Sequence, residues 1–181
     1  MIKYVRGDIL LKDLIKKRRS VRKYKDKKID SEVLENILMY ASMGPSNGNS
    51  HPVEFIVVDD KEKIEKLSEM NSFATMYLKE APAIVIVMAN TEICKTWVEE
   101  ASIAASYLQL LCEEEGLSTC WINVKEGNTQ DKISYEEYFK DEFGVKSPYR
   151  VQCLIPIGYK KMGTKNHEEF DISSKVHYNE F

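Results

Sequence analysis

No apolar run in the 181 residues is longer than the seven from Ala83 to Ala89, far short of the roughly 20 that a membrane-spanning helix needs. The opening Met1–Asp8 is interrupted by charge and lacks the apolar stretch of a signal peptide. There is no CxxC pair: Cys94, Cys112, Cys120 and Cys153 are scattered, which favours reduced core thiols over a disulfide framework or a zinc site. His51, His167 and His177 lie too far apart in sequence to suggest a metal centre, so no metal is expected. The patterns GxxxxGK[ST], GxGxxG and HExxH are missing, which removes the commonest nucleotide-binding and zinc-protease signatures. No repeat, low-complexity tract or Pro/Gly/Ser-rich linker divides the chain. The expectation is one domain over residues 1–181, soluble and cytoplasmic, with no membrane partner.

Arginine is scarce too. Only Arg6, Arg18, Arg19, Arg22 and Arg150 occur among 26 basic residues, and three of these five fall within five positions. Where lysine is the default cation, clustered arginine suggests flat, forked donors of the kind phosphate recognition uses. The alternative is a solvated basic helix end. From Lys12 to Lys28 the chain carries +8, and the formal total of −3 leaves −11 for the remainder. Such a distribution attracts an anion locally and repels a nucleic-acid backbone at longer range. A backbone-binding stripe at 12–28 is therefore the least favoured reading.

Periodicity predicts a helix over Leu10–Lys17, then extended chain through Tyr24. A second helix begins behind Asp30 and Ser31 and ends at Gly44-Pro45. Strands are expected at Phe55–Val58, Ala83–Ala89, Thr119–Val124 and Arg150–Ile157. Further helices are expected at Lys61–Met70, Thr96–Glu115 and Ser134–Phe143. Without a regular run of βαβ units, the mixture predicts an α+β sandwich with a mostly antiparallel sheet. The small-residue face Ala101, Ala104 and Ala105 places the longest helix centrally. The polar tail 158–181 is hard to bury in a lone domain, so it is expected to wrap onto a second copy.

Three segments could carry chemistry. In extended chain Arg18, Ser20 and Arg22 share one face, and two guanidinium groups flanking a hydroxyl can enclose a terminal phosphate. The loop Gly44–Pro52 is braced by prolines at 45 and 52 and presents small polar side chains, among them Ser46, Asn47 and Asn49. An asparagine amide pairs donor with acceptor and suits the edge of a heteroaromatic imide; an ordinary turn-rich connection is the other reading. The segment Gly116–Asn123 reads either as core or as a strand whose terminal N–H faces a ring. No side chain is marked as an activated nucleophile, so an enzyme built this way needs a borrowed cofactor.

Arg18-Arg19-Ser20-Val21-Arg22 resembles the R-x-S-x-[RK] opening of the nitroreductase family of flavin enzymes. Pro45-Ser46-Asn47-Gly48-Asn49-Ser50-His51-Pro52 is similar to that family's P-S-x-x-N-x-Q-P loop, and Ile155-Pro156-Ile157-Gly158-Tyr159 to its late strand ending in Gly-Tyr. The resemblance implies a nitroreductase-like α/β/α sandwich, domain-swapped as a homodimer with FMN at the interface. Arg18, Arg19, Ser20 and Arg22 would hold the phosphate, and Pro45, Ser46, Asn47 and Asn49 would reach the flavin from the partner chain. The backbone of Trp121, Ile122 and Asn123 would face the ring, with the Asn123 N–H toward flavin N5. NAD(P)H would reduce the flavin, which would then reduce a nitroaromatic or quinone by a ping-pong mechanism; related folds dehalogenate, dehydrogenate or fragment flavin instead. Two departures stand out. His51 replaces the usual glutamine, and the late arginine is missing, so Lys160, Lys161 or Lys165 is expected to complete the phosphate site, with His167 a poorer candidate.

Overall fold

Strand β2 (Ala83–Asn90) is apolar on both faces because both are covered. The structure is a computed structural model describing residues 10–71 and 73–181; the charged opening Met1–Asp8 lies outside them. β2 pairs antiparallel with β1 (Val53–Val58) on one side and with β5 (Tyr149–Gly158) on the other. The far edge of β5 carries two short antiparallel strands, β3 (Ser118–Thr119) and β4 (Ile122–Asn123).

One face of this sheet packs on α2 (Ser31–Ala41) and α4 (Trp97–Glu114), burying Val85, Val87, Ile155 and Ile157 against Leu34, Ile37, Ala101, Ala105 and Leu108. The other face packs on α3 (Lys61–Glu69) and α5 (Tyr135–Phe143), burying Ile84, Ile86 and Leu154 against Ile64, Leu67 and Phe139. Strand alternation sends successive residues to opposite layers. The sequence-predicted α+β sandwich with an antiparallel sheet is the observed architecture. Among the described residues no helix is long and apolar enough to cross a membrane, and no cluster of metal-ligating side chains occurs.

Local chemistry sets the boundaries. Asp30, Asp60 and Ser134 accept from the backbone N–H groups of Glu32, Lys63 and Glu137 at 3.0, 3.0 and 3.2 Å, capping α2, α3 and α5. Gly144 closes α5 at φ 70°. Tertiary pairing moves some limits. β1 starts at Val53, two residues before the sequence-predicted start, because Val53 and Glu54 find partners in Ala89 and Met88. The single strand expected over 119–124 is broken at Cys120-Trp121, although β3 and β4 keep one register on β5.

A register jump between Val87↔Cys153 and Met88↔Val151 leaves Gln152 as a bulge. The bulge keeps Val151 in one layer and Cys153 in the other, and turns Gln152 toward α4, where its amide donates to Ser102 Oγ at 3.3 Å.

Candidate cofactor site

The helix α1 (Leu11–Lys17) ends where Arg18 takes an extended ψ of 121°. The chain then runs along the β3 edge of the sheet. Ser20 bridges Thr119 in parallel, the Val21 N–H donates to the Thr119 carbonyl at 2.9 Å, and Tyr24 bridges Lys160. Val21 and Tyr24 are buried with Ala81. With Val21 turned inward, Ser20 and Arg22 face outward and are exposed, as the expected alternation requires.

Arg18 and Arg19 are half-buried. Arg19 donates to Nδ1 of His167 at 3.0 Å, so it is engaged with the tail. The Arg22 guanidinium lies 5.3 Å from the centroid of the Tyr77 ring, and the Tyr77 hydroxyl raises its pKa above the ordinary arginine value. That hydroxyl is 3.7 Å from Cys120 Sγ; burial pushes it up to about 12, with Cys120 adding to the effect. Near Arg18 sits Glu113, whose carboxyl burial raises while Lys160, Ser118, Arg18 and Lys17 oppose the rise. Lys160 thus shares a neighbourhood with Arg18. Lys165 is exposed, farther along the tail.

The third segment adjoins this one. The Val124 N–H donates to the Gln152 carbonyl at 3.4 Å, and Ile122 pairs with Leu154 and Asn123 with Cys153. Alternation in an antiparallel ladder therefore turns the N–H of Asn123 away from β5. Asn123 is exposed, Ile122 is buried, and Trp121 packs partly buried against the α2/α4 layer.

The loop Pro45–Pro52 lies elsewhere, between α2 and β1. Gly48, Asn49 and His51 have φ of 60°, 58° and 46°, a left-handed region that few non-glycine residues adopt, asparagine and histidine more readily than most. Internal bonds hold the shape: the His51 N–H donates to Ser46 Oγ at 3.1 Å, and the His51 ring to Asn49 Oδ1 at 3.0 Å. Gly44-Pro45-Ser46-Asn47-Gly48 also spells the G-x-S-x-G of a nucleophile elbow. That motif needs a strained strand-to-helix turn, whereas Ser46 is extended (φ −138°, ψ 149°) in a connection from helix to strand.

Sequence reasoning missed Glu100 and Tyr77. Glu100 is buried in the first turns of α4, and its Oε1 accepts from the Asn47 N–H at 2.8 Å, Cys94 Sγ at 2.8 Å and Thr96 Oγ1 at 3.1 Å. Burial pushes its carboxyl up, but these donors and nearby His51 outweigh it and leave the group below its ordinary value. A carboxylate on the same helical stripe as Trp97, Ala101 and Ala104 was the available signal. Nothing local marks Tyr77.

The first and third segments are thus brought together at one sheet edge, and the loop is held at the opposite end of α4. Fold and site define an α+β sandwich with the cationic segment Arg18–Arg22 fastened along one sheet edge. The Nitroreductase family profile matches residues 15–76 and 77–159. An FMN-dependent nitroreductase from Clostridium difficile superposes with a TM-score of 0.87 at 43% identity, covering 93% of this chain and 98% of that one. A Methanothermobacter thermautotrophicus protein, provisionally named NADH dehydrogenase/NAD(P)H nitroreductase, is 32% identical over 162 residues, which is 88% of this chain and 82% of the relative. An iodotyrosine deiodinase from Thermotoga neapolitana is 26% identical over 83% of this chain and 88% of its own. The chain belongs to the nitroreductase family.

Proposed function

We propose that the protein is an FMN-dependent oxidoreductase that draws on NAD(P)H and reduces a small acceptor such as a nitroaromatic or quinone. The observation that carries this reading is the outward seating of Ser20 and Arg22 on a segment fastened to Thr119, on the sheet edge that also carries the off-sheet N–H of Asn123. The donor set fits the cofactor: forked cations and a hydroxyl match a phosphate monoester, and a free backbone N–H matches a ring nitrogen. FMN supplies hydride acceptance and release when bound. Arg18 and Arg22 would neutralise its phosphate, the Ser20 hydroxyl would donate to a phosphate oxygen, and Arg19 would add charge nearby. Lys160 is the best-placed tail cation by its proximity to Arg18 through Glu113, ahead of Lys165. With no protein side chain acting as acid or base, protons come from water, and successive use of one space by donor and acceptor gives ping-pong kinetics.

A homodimer completes the site in this reading. α4 separates the loop, held at Glu100, from the cationic segment, tied through the Gln109 amide to Thr119 Oγ1 at 3.1 Å. Nine helical residues rise about 13 Å. A two-fold setting α4 against its copy brings Pro45, Ser46, Asn47 and Asn49 of one protomer beside Arg18–Arg22 of the other. Exposed apolar side chains on three helices support that face: Ile15, Met39, Tyr40 and Tyr107 among them. The exposed Phe170, Ile172, Val176 and Phe181 of the tail then wrap the partner. Four buried, unpaired thiols and the use of reduced nicotinamide fit a cytoplasmic setting.

The likeness to a deiodinase favours one second reading, the same cofactor acting on a halogenated aromatic. A visible spectrum of the untreated protein tests the first claim: flavin bands at roughly 370 and 450 nm are a property of the cofactor. They bleach anaerobically on adding NADH or NADPH. A preparation that is colourless once unbound flavin has been removed after incubation with FMN overturns the proposal. Anaerobic turnover of nitroaromatics, quinones and iodinated phenols separates the two acceptor readings.

A further inference from the structure

Glu100 combines two features that a structural carboxylate has no reason to combine. It is 6% exposed, and its Oε2 is buried with no hydrogen-bond partner. Its Oε1 meanwhile gathers three donors from three places: Asn47 in the loop, Cys94 in the β2–α4 connection and Thr96 at the start of α4. A buried, half-satisfied carboxylate is costly, and an apolar side chain on this helical stripe would pack without that cost. The carboxylate also borders a cavity of about 270 Å³ lined by Ser42, Pro45, Ser46, His51 and Pro52. The loop above that cavity is strained at Asn49 and His51, and such strain persists only where surroundings over-determine it. Its second fastening is at the far end, where the Asn90 N–H donates to the Pro52 carbonyl at 2.9 Å.

We infer that Glu100 is a positioning residue for the cofactor. By holding the Asn47 N–H it sets the reach of Ser46, Asn47 and Asn49 toward the flavin bound by the opposite protomer. The inference rests on the reading that this loop contacts flavin. Cys94 and His51 are the titratable groups facing Glu100 among the described residues. Cys94 and Thr96 hold the acceptor oxygen in line with the loop, so they serve the anchor rather than the cofactor.

The test compares Glu100→Gln, Glu100→Leu and Asn49→Ala as full-length proteins titrated with FMN, with thermal unfolding in parallel. Glu100→Leu raises the FMN dissociation constant roughly ten- to a hundredfold, the worth of a hydrogen bond to a charged acceptor. Glu100→Gln keeps an acceptor oxygen and recovers most of that loss. Asn49→Ala weakens FMN by removing a loop contact, and its melting curve records separately what the loop loses with the His51 bond and the left-handed φ. A merely structural Glu100 lowers the melting temperature of both variants and leaves the dissociation constant of the folded protein unmoved; that result overturns the anchor. Weakened binding in Asn49→Ala with none in either Glu100 variant overturns the anchor alone. Unchanged binding in all three removes the loop from the site, and the anchor with it.

Discussion

The Tyr24 hydroxyl shares its proton between the Val21 carbonyl at 2.5 Å and the Pro156 carbonyl at 3.3 Å. One buried phenol thereby ties the cationic segment to the end of β5, and burial drives its ionisation far above the ordinary tyrosine range. Tyr24→Phe keeps the ring and removes the donor. The variant should lose about 1–3 kcal/mol of stability in urea unfolding and bind FMN more weakly. An unfolding curve and flavin content matching the parent would refute the tie.

Arg18→Ala and Arg22→Ala should fold normally and emerge depleted in FMN. Surface-charge removal costs little stability, whereas loss of a charge-assisted bond to phosphate is felt in affinity. The measurement is the ratio of flavin absorbance to protein absorbance after purification. Full occupancy in both variants would reduce these arginines to solvated charge.

Gly158 marks the end of β5 because nothing larger fits. A Cβ there would lie 2.7 Å from Pro82 Cδ and 2.8 Å from Tyr24 Cδ1, and neither ring can swing away. Gly158→Ala is expected to cost about 1–3 kcal/mol by overpacking, read as a lowered melting temperature. A melting point equal to the parent's would mean the β5 end yields more easily than its packing indicates.

Burial pushes Tyr77 and Tyr138 up to about 12, above the unfolded value near 10. The folded state then holds its phenolic protons after the unfolded chain has released them. Their stabilisation is complete below pH of about 10 and is lost as pH rises toward 12. Urea midpoints measured between pH 9 and 11.5 should fall accordingly. The Tyr138 hydroxyl is buried without a partner, so Tyr138→Phe should flatten that fall without destabilising the protein at pH 7. A slope identical to the parent's would sink the assignment.

The tail is pinned to the first helix by the His167 N–H on the Lys16 carbonyl at 2.8 Å, by the Lys16–Glu169 ion pair and by the Arg19–His167 bond. Beyond it the apolar side chains are exposed. A chain ending at Glu169 is expected to dissociate at higher concentration than the parent in sedimentation, and Tyr107→Glu on the outer face of α4 more strongly still. Dimers of undiminished affinity in both would remove the tail and that face from the interface.

Much of the fold could be read locally. Asp30 announces its helix as a cap, the run Ala83–Ala89 announces a strand, and the alternation around Val21 anticipates which of Ser20 and its neighbours face out. The break at Cys120-Trp121 and the bulge at Gln152 could not, because each exists only relative to β5. Lys160 and Lys165 likewise look alike in sequence, and only the bridge from Lys160 to Tyr24 brings one of them to the cations.

Residue pattern alone determined the family, the elements and the cationic motif, since period, caps and short motifs are properties of neighbouring residues. Tertiary structure decided which motifs meet. It set Arg22 over Tyr77, 55 residues away, and Asn47 on Glu100, 53 residues away, and it put α4 between the loop and the arginines. Such pairings depend on how the layers close over a shared core, a long-range constraint that no local window of sequence contains.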